Sequence, residues 1–147
     1  VAQTIEGKLQ NQICEYLDRE DYFNATWIRD DNKALSLKHM PNPEFKGIFW
    51  RQNVAPTIKK MPNGQTVFRK MPKYALSGIP DIIVIKRMID IAEIKDEPTE
   101  IIWGAFLGIE VKKPGGKQSD WQKAFQNYCP GEYILATSLD DIKAAGL

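Results

Sequence analysis

Three charged residues stand where core strands should carry apolar ones. Asp81 opens the run Asp81-Ile82-Ile83-Val84-Ile85, and Glu110 and Lys112 lie two apart near the end of Ala105–Lys112. Both runs are nearly continuous apolar sequence, as strands buried on both faces require. A spacing of two puts Glu110 and Lys112 on one face of their strand. Charge in such a place needs a partner or a task. A buried ion pair between Lys112 and either carboxylate would serve the fold alone. The chemical reading is a metal site, because two carboxylates make a hard oxygen cage for Mg²⁺. A lysine beside it could orient an attacking water or stabilise charge developing on a phosphate.

The elements that must hold these groups follow from periodicity. Ile5, Leu9, Ile13, Tyr16 and Leu17 recur at helical spacing and predict a first helix over Thr4–Leu17. At ~100° per residue this stripe spans an arc of roughly 120°, and Glu6 falls inside it whereas Glu15 and Asp18 fall outside. A carboxylate on a buried helix face is unfavourable unless paired, which makes Glu6 a further candidate. Short strands are expected around Ala25–Arg29 and over Gly47–Val54. Pro62-Asn63-Gly64 marks a turn before a return strand at Thr66–Arg69. The charged stretch between Lys86 and Gly104, with Pro98, reads as a partly helical insertion. Ser119 starts a helix to Tyr128 whose apolar face is Trp121, Ala124, Phe125 and Tyr128, so Trp121, like Trp50, is expected in the core. Ser119-Asp120-Trp121-Gln122 is also a capping box, in which Gln122 reaches back to the Ser119 N–H. A strand at Glu132–Ala136 and a helix from Ser138 to Ala145 close the chain. Helix, strands, helix, strand, helix is the order of an α/β domain with a mixed central sheet flanked by helices.

The totals narrow the field. A length of 147 residues fits a single domain, 1–147, and 43% apolar with 27% charged residues is ordinary for a globular protein. No apolar run reaches membrane-spanning length, and Glu6 and Lys8 interrupt the first helix as no signal peptide would allow. The expectation is a cytoplasmic protein. Cys14 and Cys129 are too few for a disulfide framework or a zinc site and read as half-buried thiols; His39 stands without ligand-spaced neighbours. Net charge is +1, but the charge is segregated. Phe45–Pro80 holds no acid and carries Lys46, Arg51, Lys59, Lys60, Arg69, Lys70 and Lys73, while Asp90, Glu93, Asp96, Glu97 and Glu100 cluster later. A phosphate-facing surface has this form, and so does a solvated basic face.

Longer stretches carry a resemblance. Phe49-Trp50-Arg51-Gln52-Asn53, Ser77-Gly78-Ile79-Pro80-Asp81-Ile82-Ile83, Gly108-Ile109-Glu110-Val111-Lys112-Lys113-Pro114-Gly115-Gly116-Lys117, Gln118-Ser119-Asp120-Trp121-Gln122-Lys123 and Tyr133-Ile134-Leu135-Ala136-Thr137-Ser138 together resemble the VRR-NUC domains of the PD-(D/E)xK nuclease superfamily. Two features depart from that family: a longer stretch at Lys86–Gly104, and Gln118 where leucine is frequent. The resemblance implies a restriction endonuclease-like core. It implies a DNA endonuclease in which Asp81, Glu110 and the Val111 main-chain carbonyl bind Mg²⁺ or Mn²⁺ and Lys112 acts on the nucleophilic water. Glu6 would be a ligand or an acceptor behind one, and Gln122 would sit near the site. Arg51 and Asn53, which share a strand face, would line the site or touch DNA, with Lys113, Lys117, Lys59 and Lys60 as further contacts. Stand-alone members imply a homodimer acting on branched or four-way DNA, where two-fold symmetry suits the junction. A restriction-type or flap nuclease, or a non-catalytic DNA-binding module keeping the fold, are the alternatives.

Overall fold

The computed structural model describes residues 4–23, 27–28, 36–37, 44–52, 58–68, 73 and 76–147. Helix α1 spans Ile5–Leu17, and the Thr4 hydroxyl accepts from the Gly7 N–H at 3.0 Å to cap it. Strands β1 (Trp27–Ile28) and β2 (Ser36–Leu37) pair antiparallel. They are followed by β3 (Gly47–Arg51), and then β4 (Ile58–Lys60) and β5 (Thr66–Phe68) form a separate hairpin about the turn at Pro62–Gly64. The long strands β6 (Ile82–Ile94) and β7 (Glu97–Val111) lead to α2 (Asp120–Tyr128), β8 (Glu132–Ala136) and α3 (Leu139–Ala144).

A four-stranded sheet in the order β3-β6-β7-β8 organises the molecule. β3, β6 and β7 run antiparallel, and β8 returns parallel to β7 after the α2 crossover. The result is a mixed α/β arrangement with helices on both faces of the sheet. On one face Leu9, Ile13 and Leu17 of α1 and Ile142 of α3 pack against Ile82, Val84, Leu107, Ile109, Val111 and Ala136. The C-terminus is tied in as well: the Leu147 carbonyl accepts from the Tyr16 hydroxyl at 2.8 Å and from Arg19 at 3.1 Å.

Alternation along the paired strands then dictates the second face. Asp81 stands opposite Glu110 by register, next to the pair Ile82↔Ile109, and the same face carries Ile83, Gly108 and Tyr133. Helix α2 covers this face through Phe125, whose ring lies 6.2 Å from that of Phe106.

Four expectations change. Lys86–Gly104 is not partly helical; it is the distal part of one hairpin, in which Ile82 to Ile94 pairs residue by residue with Ile109 to Glu97. Isoleucines spaced for a strand outweigh the charges, and Lys95 and Asp96, at φ 53° and 62°, make the two-residue turn that strand twist favours. Pro98 is tolerated because, among the described residues, each arm strand is paired along one edge only. Trp121 and Trp50 are not core residues, being 67% and 41% exposed. Helix α2 is rotated so that Gln122 and Phe125, rather than Trp121 and Tyr128, face the sheet. Ile5 also lies outside the stripe, at 64% exposure, while Glu6, on the line of Leu9 and Ile13, is half-buried. The strand at Gly47 ends at Arg51; Asn53 and His39 lie outside the described residues. Among those described, no helix is long and apolar enough to cross a membrane, and both cysteines are half-buried.

Candidate active site

Asp81 and Glu110 are brought together by backbone register alone, and each is then fixed by a second bond. The Gln52 N–H donates to the Asp81 carbonyl at 2.7 Å, ending β3 against the start of β6. The Val111 N–H donates to Asp81 Oδ2 at 2.8 Å, which clamps the carboxylate onto β7 beside Glu110. Two close approaches make this possible. Pro80 is packed over Gly108, where any Cβ would come within 2.6 Å of its ring. Gly78, at φ +80°, lays its loop against the main chain at Trp121 and Gln122, where a side chain would collide with the Trp121 carbonyl. The Ser77-Gly78-Ile79-Pro80 sequence is thus the bracket that holds Asp81 between α2 and β7.

Glu110 is only 1% exposed. Its Oε1 accepts from Gln122 Nε2 at 2.7 Å, while Oε2 is buried with no hydrogen-bond partner. Burial, followed by the adjacent charge of Asp81, raises the Glu110 carboxyl to about 8, against the lowering pull of Lys112. The charge of Glu6 adds to the rise. A protein that wanted only stability would not place two carboxyls side by side in a dry position and leave one oxygen bare.

Gln122 does both of the things its sequence position allowed. Its Oε1 accepts from the Ser119 N–H at 2.8 Å, and the Ser119 hydroxyl accepts from the Gln122 N–H at 3.2 Å, completing the capping box. A main-chain N–H can only donate, so Oε1 must face it. The amide NH₂ is thereby left pointing at Glu110.

Lys112 leaves β7 on the same face, its N–H held by the Ala136 carbonyl at 2.9 Å. Among the described residues no ion pair ties it to either carboxylate; Lys86 and Glu132 pair at 2.7 Å away from the site. Glu6 reaches round from α1 to the end of β7, where Oε1 accepts from the Lys113 N–H at 3.3 Å. Lys113 and Lys117 are exposed on the turn that follows.

Arg51 is placed elsewhere. It is the register partner of Ile82, hence on the α1 face, and its guanidinium donates to Gln10 Oε1 at 2.9 Å and Asn11 Oδ1 at 2.7 Å. It therefore does not line the carboxylate face. Alternation along its strand placed it with Asn53, but which face of the sheet that was depended on pairing. Lys59 and Lys60 belong to β4, outside the central sheet.

Two side chains on the carboxylate face were not read from sequence as part of the site. Tyr133 accepts from Gln118 Nε2 at 3.1 Å, and burial, with the charges of Glu110 and Asp81, pushes its phenol up to about 12. Trp50 pairs with Ile83, so it lies on the carboxylate face, its indole N–H donating to Gln52 at 3.0 Å. The signal for Trp50 was its alternation with Phe49; Tyr133 depends on the parallel register of β8 and had no local signal.

Among the described residues no three carboxylate, histidine or cysteine side chains form a ready-made cage for a metal ion. The donors present are two adjacent carboxyls, one of them with a bare oxygen. That set fits a hard divalent cation, which would satisfy Glu110 Oε2 and cancel the repulsion with Asp81. Comparisons with protein families, with curated proteins and with solved structures find no match.

Proposed function

We propose that this chain is a metal-dependent DNA endonuclease of the PD-(D/E)xK type, with a restriction endonuclease-like core and a VRR-NUC character. One observation carries the reading. Asp81 and Glu110, thirty residues apart in the chain, meet on one face with Lys112 beside them, and Glu110 Oε2 is buried without a partner. The helix–three strands–helix–strand order around the central sheet, α1-β3-β6-β7-α2-β8, supports the fold assignment.

Asp81, Glu110 and the Val111 carbonyl would hold Mg²⁺ or Mn²⁺, which supplies Lewis-acid stabilisation of a phosphodiester and lowers the pKa of a bound water. The protein's own groups do the rest. Gln122 fixes the rotamer of Glu110 through Nε2, and the Val111 N–H fixes Asp81, so both carboxylates are oriented before substrate arrives. Lys112, free of an ion pair, can donate to a water or to a phosphate oxygen. Glu6 steadies the end of β7 through the Lys113 N–H. Lys113 and Lys117, exposed beside the site, are suited to contact the DNA backbone.

The test is metal-dependent cleavage on a panel of linear, flapped and four-way DNAs. Cleavage with Mg²⁺ or Mn²⁺, abolished in Asp81→Asn and Lys112→Ala while both variants keep the parental circular dichroism, is the expected result. No cleavage of any DNA form with either metal refutes it. A preference for the four-way substrate would select junction resolution over restriction-type or flap cutting.

A further inference from the structure

Beside the carboxylates stands a second polar pair that the metal reading leaves without a task. Tyr133 of β8 is the register partner of Gly108 in the parallel pairing with β7. Its side chain therefore leaves on the face of Glu110, one strand over and two residues back. Gln118, in the link from β7 to α2, donates through Nε2 to the Tyr133 hydroxyl at 3.1 Å and to Gln126 Oε1 at 3.2 Å. Both hydrogens of that amide are then committed, and the phenol oxygen is tied to α2 through them.

A tyrosine hydroxyl can accept and donate. Here the accepting side is filled, and among the described residues the O–H has no acceptor. Glu110 and Asp81 act on the phenol through their charge, while its hydrogen-bond partner is Gln118. Burial, and after it those two charges, push the phenol up to about 12 against the Gln118 bond, so its proton stays in place at neutral pH. Tyr133 is half-buried, so solvent and ligands reach it. For the fold alone a phenylalanine would pack as well and leave no O–H unused. The missing acceptor has to come from outside the chain.

We propose that the Tyr133 hydroxyl donates to a non-bridging oxygen of the phosphate next to the one held at Asp81 and Glu110, and that Gln118 is the positioning residue that aims it. This rests on the nuclease reading and adds a subsite one phosphate along the bound strand. Distance selects the neighbouring phosphate. One strand across at ~4.8 Å and two residues along at ~3.3 Å each put the bases of Tyr133 and Glu110 roughly 8 Å apart. That is more than one phosphate group spans and similar to the step between consecutive phosphates of a strand. A phosphate oxygen can only accept, which matches a hydroxyl whose own oxygen is occupied. Gln118 is also one of the two features in which this chain departs from VRR-NUC sequences, and a leucine there could not hold the phenol. Contact with a phosphate that does not react is equal in the ground and transition states, so it strengthens binding and leaves the chemical step alone.

The experiment is single-turnover cleavage at varied enzyme concentration, on parent, Tyr133→Phe, Gln118→Leu and the double variant, each checked by circular dichroism and thermal unfolding. Tyr133→Phe should raise the half-saturating concentration about 10–100-fold, as loss of a hydrogen bond to a charged group requires, with the maximal rate unchanged. Gln118→Leu should raise it less, and not at all in the Tyr133→Phe background. A second arm changes the DNA instead of the protein. A methylphosphonate, which removes one non-bridging oxygen, is placed in turn at each phosphate flanking the scissile one. At one position it should weaken the parent by a factor similar to that of Tyr133→Phe and weaken Tyr133→Phe little further. Parental half-saturation in Tyr133→Phe, a loss confined to the maximal rate, or methylphosphonate penalties equal in both proteins at every position overturns the proposal and leaves the nuclease reading standing. A parent that cuts no DNA overturns both.

Discussion

Replacing Gln122 by Glu separates the two tasks that one side chain performs. A glutamate at this position keeps an oxygen for the Ser119 N–H, since the capping box accepts Glu as readily as Gln. What it loses is the Nε2 donor, which now stands 2.7 Å from Glu110 Oε1. A carboxylate oxygen would take that place, facing a carboxyl that is 1% exposed. Removing the donor from an acceptor this deeply buried costs about 1.5–3 kcal/mol. The added negative charge works in the same direction, so one of the two carboxyls must hold a proton. In metal-free protein the melting temperature should fall by roughly 5–10 °C, taking ~3 °C per kcal/mol for a chain of this size. Cleavage should fall by about 10–100-fold, because Glu110 is no longer held in one rotamer. Ser119→Ala is the control: it removes the hydroxyl that accepts from the Gln122 N–H, at about 1 kcal/mol of stability, but leaves Nε2 on Glu110. Thermal unfolding and single-turnover cleavage on all three proteins give the answer. If Gln122→Glu cuts at the parental rate, or Ser119→Ala loses as much rate as Gln122→Glu, the coupling between cap and carboxylate is wrong.

Glu110 also makes stability depend on pH. Its folded value, about 8, lies above the ordinary 4.5, so the folded state holds the extra proton between those two values. That contribution is present in full below about 4.5 and is lost as pH rises toward 8. Urea unfolding of metal-free protein should therefore show stability falling from pH 5 to 8, and Glu110→Gln should remove that slope while abolishing cleavage. Cation binding must expel the same proton. Calorimetry in buffers of different ionisation enthalpy should then find proton release and an Mg²⁺ or Mn²⁺ affinity that rises with pH up to about 8. Gly78→Ala places a methyl against the Trp121 carbonyl at a residue with φ +80°. It should destabilise by more than the ~1 kcal/mol of the backbone conformation alone and shift Asp81, seen as a lower melting temperature with a larger loss of cleavage than stability explains.

Much of the site was legible in the chain because its signals are local. Glu110 and Lys112 share a face by a spacing of two, Asp81 opens an apolar run, and Glu6 falls on the line of Leu9 and Ile13, where the structure finds it half-buried. The cap at Ser119 and the turn at Pro62–Gly64 are equally local and are found where the residues put them. The failures are of a different kind. Trp121 and Tyr128 fit an apolar stripe, but α2 turns Gln122 and Phe125 inward instead, since the Gly78 loop occupies the main chain at Trp121. The charged stretch after Ile85 was misjudged because alternating isoleucines in an arm without a sheet beneath it look too polar for a strand.

Residue types and short spacings determined which groups could do chemistry, for a strand's period of two and a helix's period of 3.6 are properties of the backbone itself. Only the tertiary structure decided which of them meet. The register of β6 on β7 set Asp81 opposite Glu110, and the pairing of β3 turned Arg51 to the far face while bringing Trp50 to the near one. Strand pairing joins residues distant in the chain, and a shift of one residue would send each of these side chains to the other side of the sheet.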